Sequence, residues 1–197
     1  MIGCVLMAAG RSARFGAENK LLAQFRGQPL YCRAMDAVPP DCETVVVTGY
    51  GEIAAEAARR GFRVVWNDQP EAGASRTVRL GTEALAACSG ILFLVGDQPL
   101  LRRESAERVV ACFRAHRDAI CAAAAAGRRG SPCLFPSEFY GALCALTGDQ
   151  GGSAVIRAHA SRLRLVEIPA AELLDVDTCE ALASLKEEAN ENETDRT

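Results

Sequence analysis

Histidine is nearly missing from this chain of 197 residues: only His116 and His159 occur. Both sit in segments that read as exposed helix, and nothing around either points to a Ser-His-Asp or Cys-His arrangement. Cysteine is present, but cysteine motifs are not. The nine cysteines, at positions 4, 32, 42, 88, 112, 121, 133, 144 and 179, form no C-x-x-C pair and no ligand-like cluster, which removes the usual framework of a structural zinc site. Their number is odd and most stand in apolar stretches, where cysteine behaves as a small buried hydrophobe. A reduced, cytoplasmic setting follows. No apolar run approaches the roughly 20 residues that cross a bilayer. The N-terminus has no charged region before Ile2, and its apolar run is broken by Gly10 and Arg11, so no signal peptide is expected. A broad basic surface is missing as well. The net charge of -3 speaks against nucleic acid as a partner, and no membrane partner is expected.

What the chain does have is the make-up of a soluble globular protein, 49% hydrophobic and 24% charged, and a length that suits one domain. Ile2–Met7, Thr44–Thr48, Arg63–Trp66, Ile91–Val95 and 119–124 read as strands. Several are continuous apolar blocks without alternation, which suits a sheet covered on both faces. Between them, 30–37, 52–60, 76–87 and 104–116 have helical spacing. The alternation predicts a single α/β domain of three layers, with a mostly parallel, Rossmann-like sheet and right-handed crossovers. Ligands of such sheets bind beyond the carboxyl ends of the strands. Further on, 127–132 reads as a turn or loop, 137–146 and 153–159 as helical, 164–168 as an edge strand and 178–186 as a final helix, with Asp177 or Thr178 near its cap. The domain is expected to span residues 1–186, with 187–197 a polar, disordered tail.

Four segments carry chemistry. The first strand opens into a loop punctuated by Gly10 and Gly16 that holds Arg11, Arg14 and Lys20. Small residues let backbone N–H groups approach an anion, and the cations neutralise it, which is the chemistry of a polyphosphate site; an ordinary glycine turn with solvated basic residues is the plainer role. It lacks both the Gly-Lys-Ser/Thr of a Walker A loop and the G-x-G-x-x-G of a dinucleotide fold. Gly96-Asp97-Gln98-Pro99 follows a buried strand, placing a carboxylate where Mg2+ could be held against phosphate oxygens; a turn or cap aspartate is the plainer role. Asp175-Val176-Asp177 puts two carboxylates on one side of an extended segment, suited either to completing that metal site or to capping the next helix. Gly73-Ala74-Ser75 opens a helix, with room for a base or ribose, or with Ser75 as a mere cap. Gly148-Asp149-Gln150-Gly151-Gly152 fits equally a close approach to a second substrate and a simple join between helices.

The opening pattern Leu-x-x-Gly-x-x-x-Arg-x-Gly-x-x-x-Lys resembles the signature loop of nucleotidyltransferases that activate sugars, isoprenoid precursors and molybdopterin. With 73–78, Gly81, 96–99, 130–132, 148–151 and 175–178 in the same order, the chain is similar to the molybdenum cofactor cytidylyltransferases of the molybdopterin nucleotidyltransferase group. The resemblance covers nearly everything but the tail. It implies the nucleotide-diphospho-sugar transferase type of fold and Mg2+-dependent transfer of CMP from CTP onto the phosphate of molybdopterin, releasing pyrophosphate. It implies Arg14, Lys20 and Asp97 as catalytic residues and Asp97 and Asp177 as Mg2+ ligands. The implied nucleotide-binding set is Leu6, Ala8, Ala9, Gly10, Arg11, Ser12, Arg14, Gly16, Lys20, Gly73, Ala74 and Ser75. Ala8-Ala9-Gly10 resembles the CTP users, whereas Arg76 departs from their serine-rich second loop and stands where it could meet a phosphate. The alternatives are GMP transfer to molybdopterin, transfer to another phosphorylated small molecule, or a cofactor carrier serving a molybdenum hydroxylase.

Overall fold

The computed structural model describes residues 1–10, 15 and 19–194, and side chains of the last helix as far as Glu187. The first strand, β1 (Ile2–Ala8), shows why the apolar blocks do not alternate. Cys4, Leu6 and Ala8 enter one core and Val5 another, on opposite faces of the sheet. A short hairpin follows, β2 (Gln24–Phe25) and β3 (Gln28–Pro29), turning through Arg26 and Gly27 at positive φ. Then come α1 (Leu30–Asp36), β4 (Glu43–Thr48), α2 (Gly51–Arg59), β5 (Arg63–Trp66), α3 (Ala74–Ala84), β6 (Gly90–Val95) and α4 (Arg103–Ala115). Helices α1, α2 and α4 contribute Met35, Ile53 and Val109 to the first core; α3 contributes Val78 to the second. Helices thus sandwich the sheet, and the three-layer expectation holds.

The second half is β7 (Ile120–Ala125), β8 (Arg128–Pro136), α5 (Tyr140–Cys144), α6 (Gly152–Ala158), β9 (Leu163–Glu167) and α7 (Cys179–Thr194). The seven-stranded sheet has the order β5-β4-β1-β6-β8-β7-β9. Only β8 runs against the others, antiparallel to both β6 and β7. The sheet is therefore mostly parallel, as the alternating pattern implies.

Two expectations need correction. Residues 127–132 are not a loop: the turn is confined to Ala126 and Gly127, both at positive φ, and β8 already begins at Arg128. Proline within a strand flanked on both sides is unusual, because it cannot donate to the ladder. Here pairing with β7 is interrupted between Ala122–Cys133 and Ala124–Arg129, so Pro132 falls in an irregular stretch. The second correction concerns the C-terminal segment. Its last helix does not stop at Lys186 but runs to Thr194, adding polar turns to a helix anchored by Leu182 and Leu185. Those two leucines pack with Phe15, Phe25, Leu30 and Val176, a third core that seats the C-terminal segment beside the first loop.

Candidate active site

The carboxyl ends of β1 and β6 lie side by side, with Met7 paired to Val95. Beyond them the Gly96 N–H donates to the Met7 carbonyl at 3.0 Å, so the two strand ends stay joined as they leave the sheet. A Cβ on Gly96 would stand 3.1 Å from Leu21 Cδ2 and 3.2 Å from the Met7 oxygen, tighter than ordinary contact. Absence of a side chain there lets the 3-10 turn at Lys20–Leu22 press against the strand ends. The Asn19 side chain caps that turn by accepting from the Leu21 N–H at 3.1 Å, and buried Leu21 anchors it.

This packing fixes Lys20. Its Nζ donates to Asp97 Oδ2 at 2.6 Å and to Asp177 Oδ1 at 2.9 Å. Burial disfavours the ammonium charge, but the attraction and hydrogen bonds of the two carboxylates outweigh that, and its pKa lies above the usual lysine value. The two acidic segments are strapped together, since the Val176 N–H donates to the Asp97 carbonyl at 2.9 Å. Asp175, on the same segment, has its carboxyl pushed up to about 6, first by loss of surrounding water and then by Asp97 and Asp177. The capping role left open for Asp177 falls to Thr178, whose Oγ1 accepts from the Ala181 N–H at 3.1 Å. Asp177 is thereby left to face Lys20.

A cavity of about 680 Å³ opens over this cluster, a size suited to a small-molecule ligand. Its floor is Met7, Ala9, Gly10 and Val95; Lys20, Asp97 and Asp177 form one wall. The other wall is Gly73, Ala74, Thr77 and Asp149, with Glu71 beside them. Gly73 has φ 86°, a conformation that suits glycine, and a Cβ there would overlap the Gly148 carbonyl and stand 2.7 Å from Asp149 Oδ1. The Ser75 N–H donates to the Gly148 carbonyl at 3.0 Å. The loop joining α5 and α6 is therefore part of the cavity, which a glycine-rich turn alone does not reveal.

The residues singled out from the sequence divide into three groups. Ala9, Gly10, Lys20, Gly73, Ala74, Asp97 and Asp177 all line the one cavity. Leu6 and Ala8 are fully buried in the core and do not line the cavity, while Ser75 is buried, caps nothing with its side chain and spends its N–H on Gly148. Arg11, Ser12, Arg14 and Gly16 lie outside the described residues. Arg76 turns away from a phosphate: its Nε donates to Asn67 Oδ1 at 3.0 Å and its guanidinium pairs with Asp68. Sequence reasoning passed over Thr77 and Glu71, and Tyr50, whose hydroxyl donates to the Gly10 carbonyl at 3.0 Å. None of the three stands in a motif of its own.

Among the described residues there is no group of three or more His, Cys, Asp or Glu side chains placed to hold a metal. Two carboxylates nevertheless converge on a single cation, the Lys20 ammonium. Mg2+ takes hard oxygen donors and commonly uses only one or two protein carboxylates, keeping its other positions for water and phosphate. Asp97 and Asp177 fit that donor set. Asp177 is the more open of the two, 48% exposed against 19%.

A cavity at the carboxyl ends of parallel strands, with a lysine between paired aspartates, stands where the ligands of such sheets bind. Residues 4–163 match the MobA-like NTP transferase domain, and the chain belongs to that family. It is 33% identical over 124 residues to a bifunctional protein GlmU from Syntrophotalea carbinolica, a match covering 60% of this chain and 27% of the relative, so the chain spans about a quarter of that relative's length. Against a molybdenum cofactor guanylyltransferase from Mesorhizobium japonicum it is 28% identical over 148 residues, 72% of this chain and 70% of the other. Among solved structures, Rv0371c from Mycobacterium tuberculosis superposes with a TM-score of 0.78 at 26% identity, covering 94% of this chain and 97% of that one. A further structure of Rv0371c is a complex with manganese.

Proposed function

We propose that this nucleotidyltransferase moves CMP from CTP onto the terminal phosphate of a molybdopterin-type acceptor. The observation that carries the reading is the Lys20 ammonium held between Asp97 and Asp177 at the cavity wall. The reaction joins an acceptor phosphate oxygen to the α-phosphorus of the triphosphate as the bond to the bridging oxygen breaks and pyrophosphate leaves. The nucleophile is already an anion, so no general base is required, in keeping with a cavity that has carboxylates and a lysine but no histidine among its lining residues. The catalytic task is alignment and charge neutralisation. Lys20, fully charged and anchored from two sides, places a cation where the triphosphate's negative charge must lie. Asp97 and Asp177 would hold Mg2+, whose chemistry there is to neutralise phosphate oxygens; the manganese complex of Rv0371c supports a divalent cation in this fold.

The donor assignment rests on Ala9. This buried residue lies in the cavity floor, and Ala8-Ala9-Gly10 resembles the opening loop of the CTP users. GMP transfer is the second reading, favoured by the guanylyltransferase relative from Mesorhizobium japonicum. Pyrophosphate release measured with molybdopterin, Mg2+ and each of the four nucleoside triphosphates separates them. The expected result is release fastest with CTP. Fastest release with GTP would replace the donor, and no release with any donor would sink the molybdopterin assignment.

A further inference from the structure

The Asp149 carboxylate makes no hydrogen bond or ion pair to any described residue, yet it lines the cavity and stands against Gly73. The loop that carries it is held in place. Its Gly148 carbonyl accepts from the Ser75 N–H at 3.0 Å, and the Thr147 N–H donates to Gln150 Oε1 at 3.2 Å. Asp149 and neighbouring Glu71 have no cation paired with them among the described residues, whereas the other wall has the Lys20 ammonium and the two aspartates that would hold a divalent cation, so the triphosphate belongs at the Lys20 wall and the nucleoside at this one. Asp149 offers acceptors only. Two other residues lining the cavity, Thr77 and Ala74, can supply donors. Thr77 Oγ1 already accepts from Asn67 Nδ2 at 3.2 Å, which leaves its own proton to give. Ala74 opens α3, where its backbone N–H has no helical acceptor. One acceptor group and two donors lining the same cavity complement an edge with one amino group and two acceptors. Cytosine has that edge; uracil puts an oxygen where the amino group stands.

We propose that Asp149 accepts a hydrogen bond from the exocyclic amino group of the donor's base and so sets base preference. This rests on the nucleotidyl-transfer reading and extends it to a residue on the opposite wall. The test is calorimetric binding of CTP, UTP, GTP and ITP, with Mg2+, to the full chain and to its Asp149→Asn variant. A charge-assisted hydrogen bond accounts for a preference of about tenfold or more. The wild type should bind CTP over UTP by that margin. The variant, whose amide can donate to an oxo group, should reduce the ratio to about threefold or less, with nucleotide-free melting unchanged to show that the fold is intact. A preference for GTP over ITP that disappears in the variant would support Asp149 as the amino reader while removing CTP as the donor. An unaltered CTP:UTP ratio in Asp149→Asn would overturn the proposal. Failure of the wild type to bind any of the four would overturn the nucleotide reading and this inference with it.

Discussion

The two walls of the cavity are built on different principles. At the Lys20 wall, opposite charges are brought together by elements far apart in sequence: the first loop, the end of β6 and the segment before α7. Its order comes from electrostatics, with the Lys20 ammonium standing between two carboxylates. At the Gly73 wall the order is steric: two backbones touch where any side chain would intervene, and the carboxylate they present is unpaired among the described residues. The first wall should therefore tolerate side-chain changes structurally while losing chemistry. The second should tolerate almost no bulk.

The largest effect tests the first half of that contrast. Asp97→Ala removes one of two anions around Lys20 but leaves the ammonium paired with Asp177, so no buried charge is stranded. Turnover should fall by about 10²-fold to 10³-fold or more, the scale of losing an electrostatic group from a reacting site. The melting temperature should change little. Pyrophosphate release and thermal unfolding measured on the same sample check this, and a collapsed fold would make Asp97 a structural residue.

The next effect tests the second half. Gly73→Ala must relieve a φ of 86° and an overlap with the Gly148 carbonyl. Strain of this kind costs about 1–3 kcal/mol, which for a domain of this size is a fall of several degrees in melting temperature. An unchanged melting point would mean that the contact with the α5–α6 loop yields without resistance, and the contrast between the walls would vanish.

How far these walls can be read from sequence follows from their construction. Strands β1, β4 and β6 declare themselves as unbroken apolar runs, because both their faces are covered. Lys20, Asp97 and Asp177 stand out because charge at the end of a buried strand or just before a helix is conspicuous. That they meet in one ion cluster is not legible, since 77 and 157 positions separate Lys20 from its partners. Strand β8 hides for a local reason: Gly130, Ser131 and Pro132 have loop composition, and only the irregular pairing with β7 admits them to the sheet. Asp149 is visible as part of a glycine-rich turn, but its place in the cavity is set by where Gly73 folds. The helical continuation to Thr194 escapes notice because nothing apolar marks it beyond Leu185.

The smallest effect sharpens the electrostatic account of the first wall. Asp175, on the segment that carries Asp177, resists ionising: its pKa rises to about 6, first because burial strips its carboxyl of water and then because Asp97 and Asp177 stand near it. The sign of the consequence follows from proton linkage. Well below pH 4 the group is neutral in folded and unfolded chains alike and contributes nothing. Between about pH 4 and 6 the unfolded chain releases the proton while the folded one keeps it, so stability falls as pH rises. Above that window the folded chain carries the whole unfavourable interaction. Asp175→Asn, which cannot ionise, should therefore flatten the stability profile between pH 4 and 6 and leave the protein slightly more stable at pH 7, as chemical denaturation across that range would show. A profile as steep in the variant as in the wild type would mean that Asp175 ionises in the folded chain as readily as in the unfolded one.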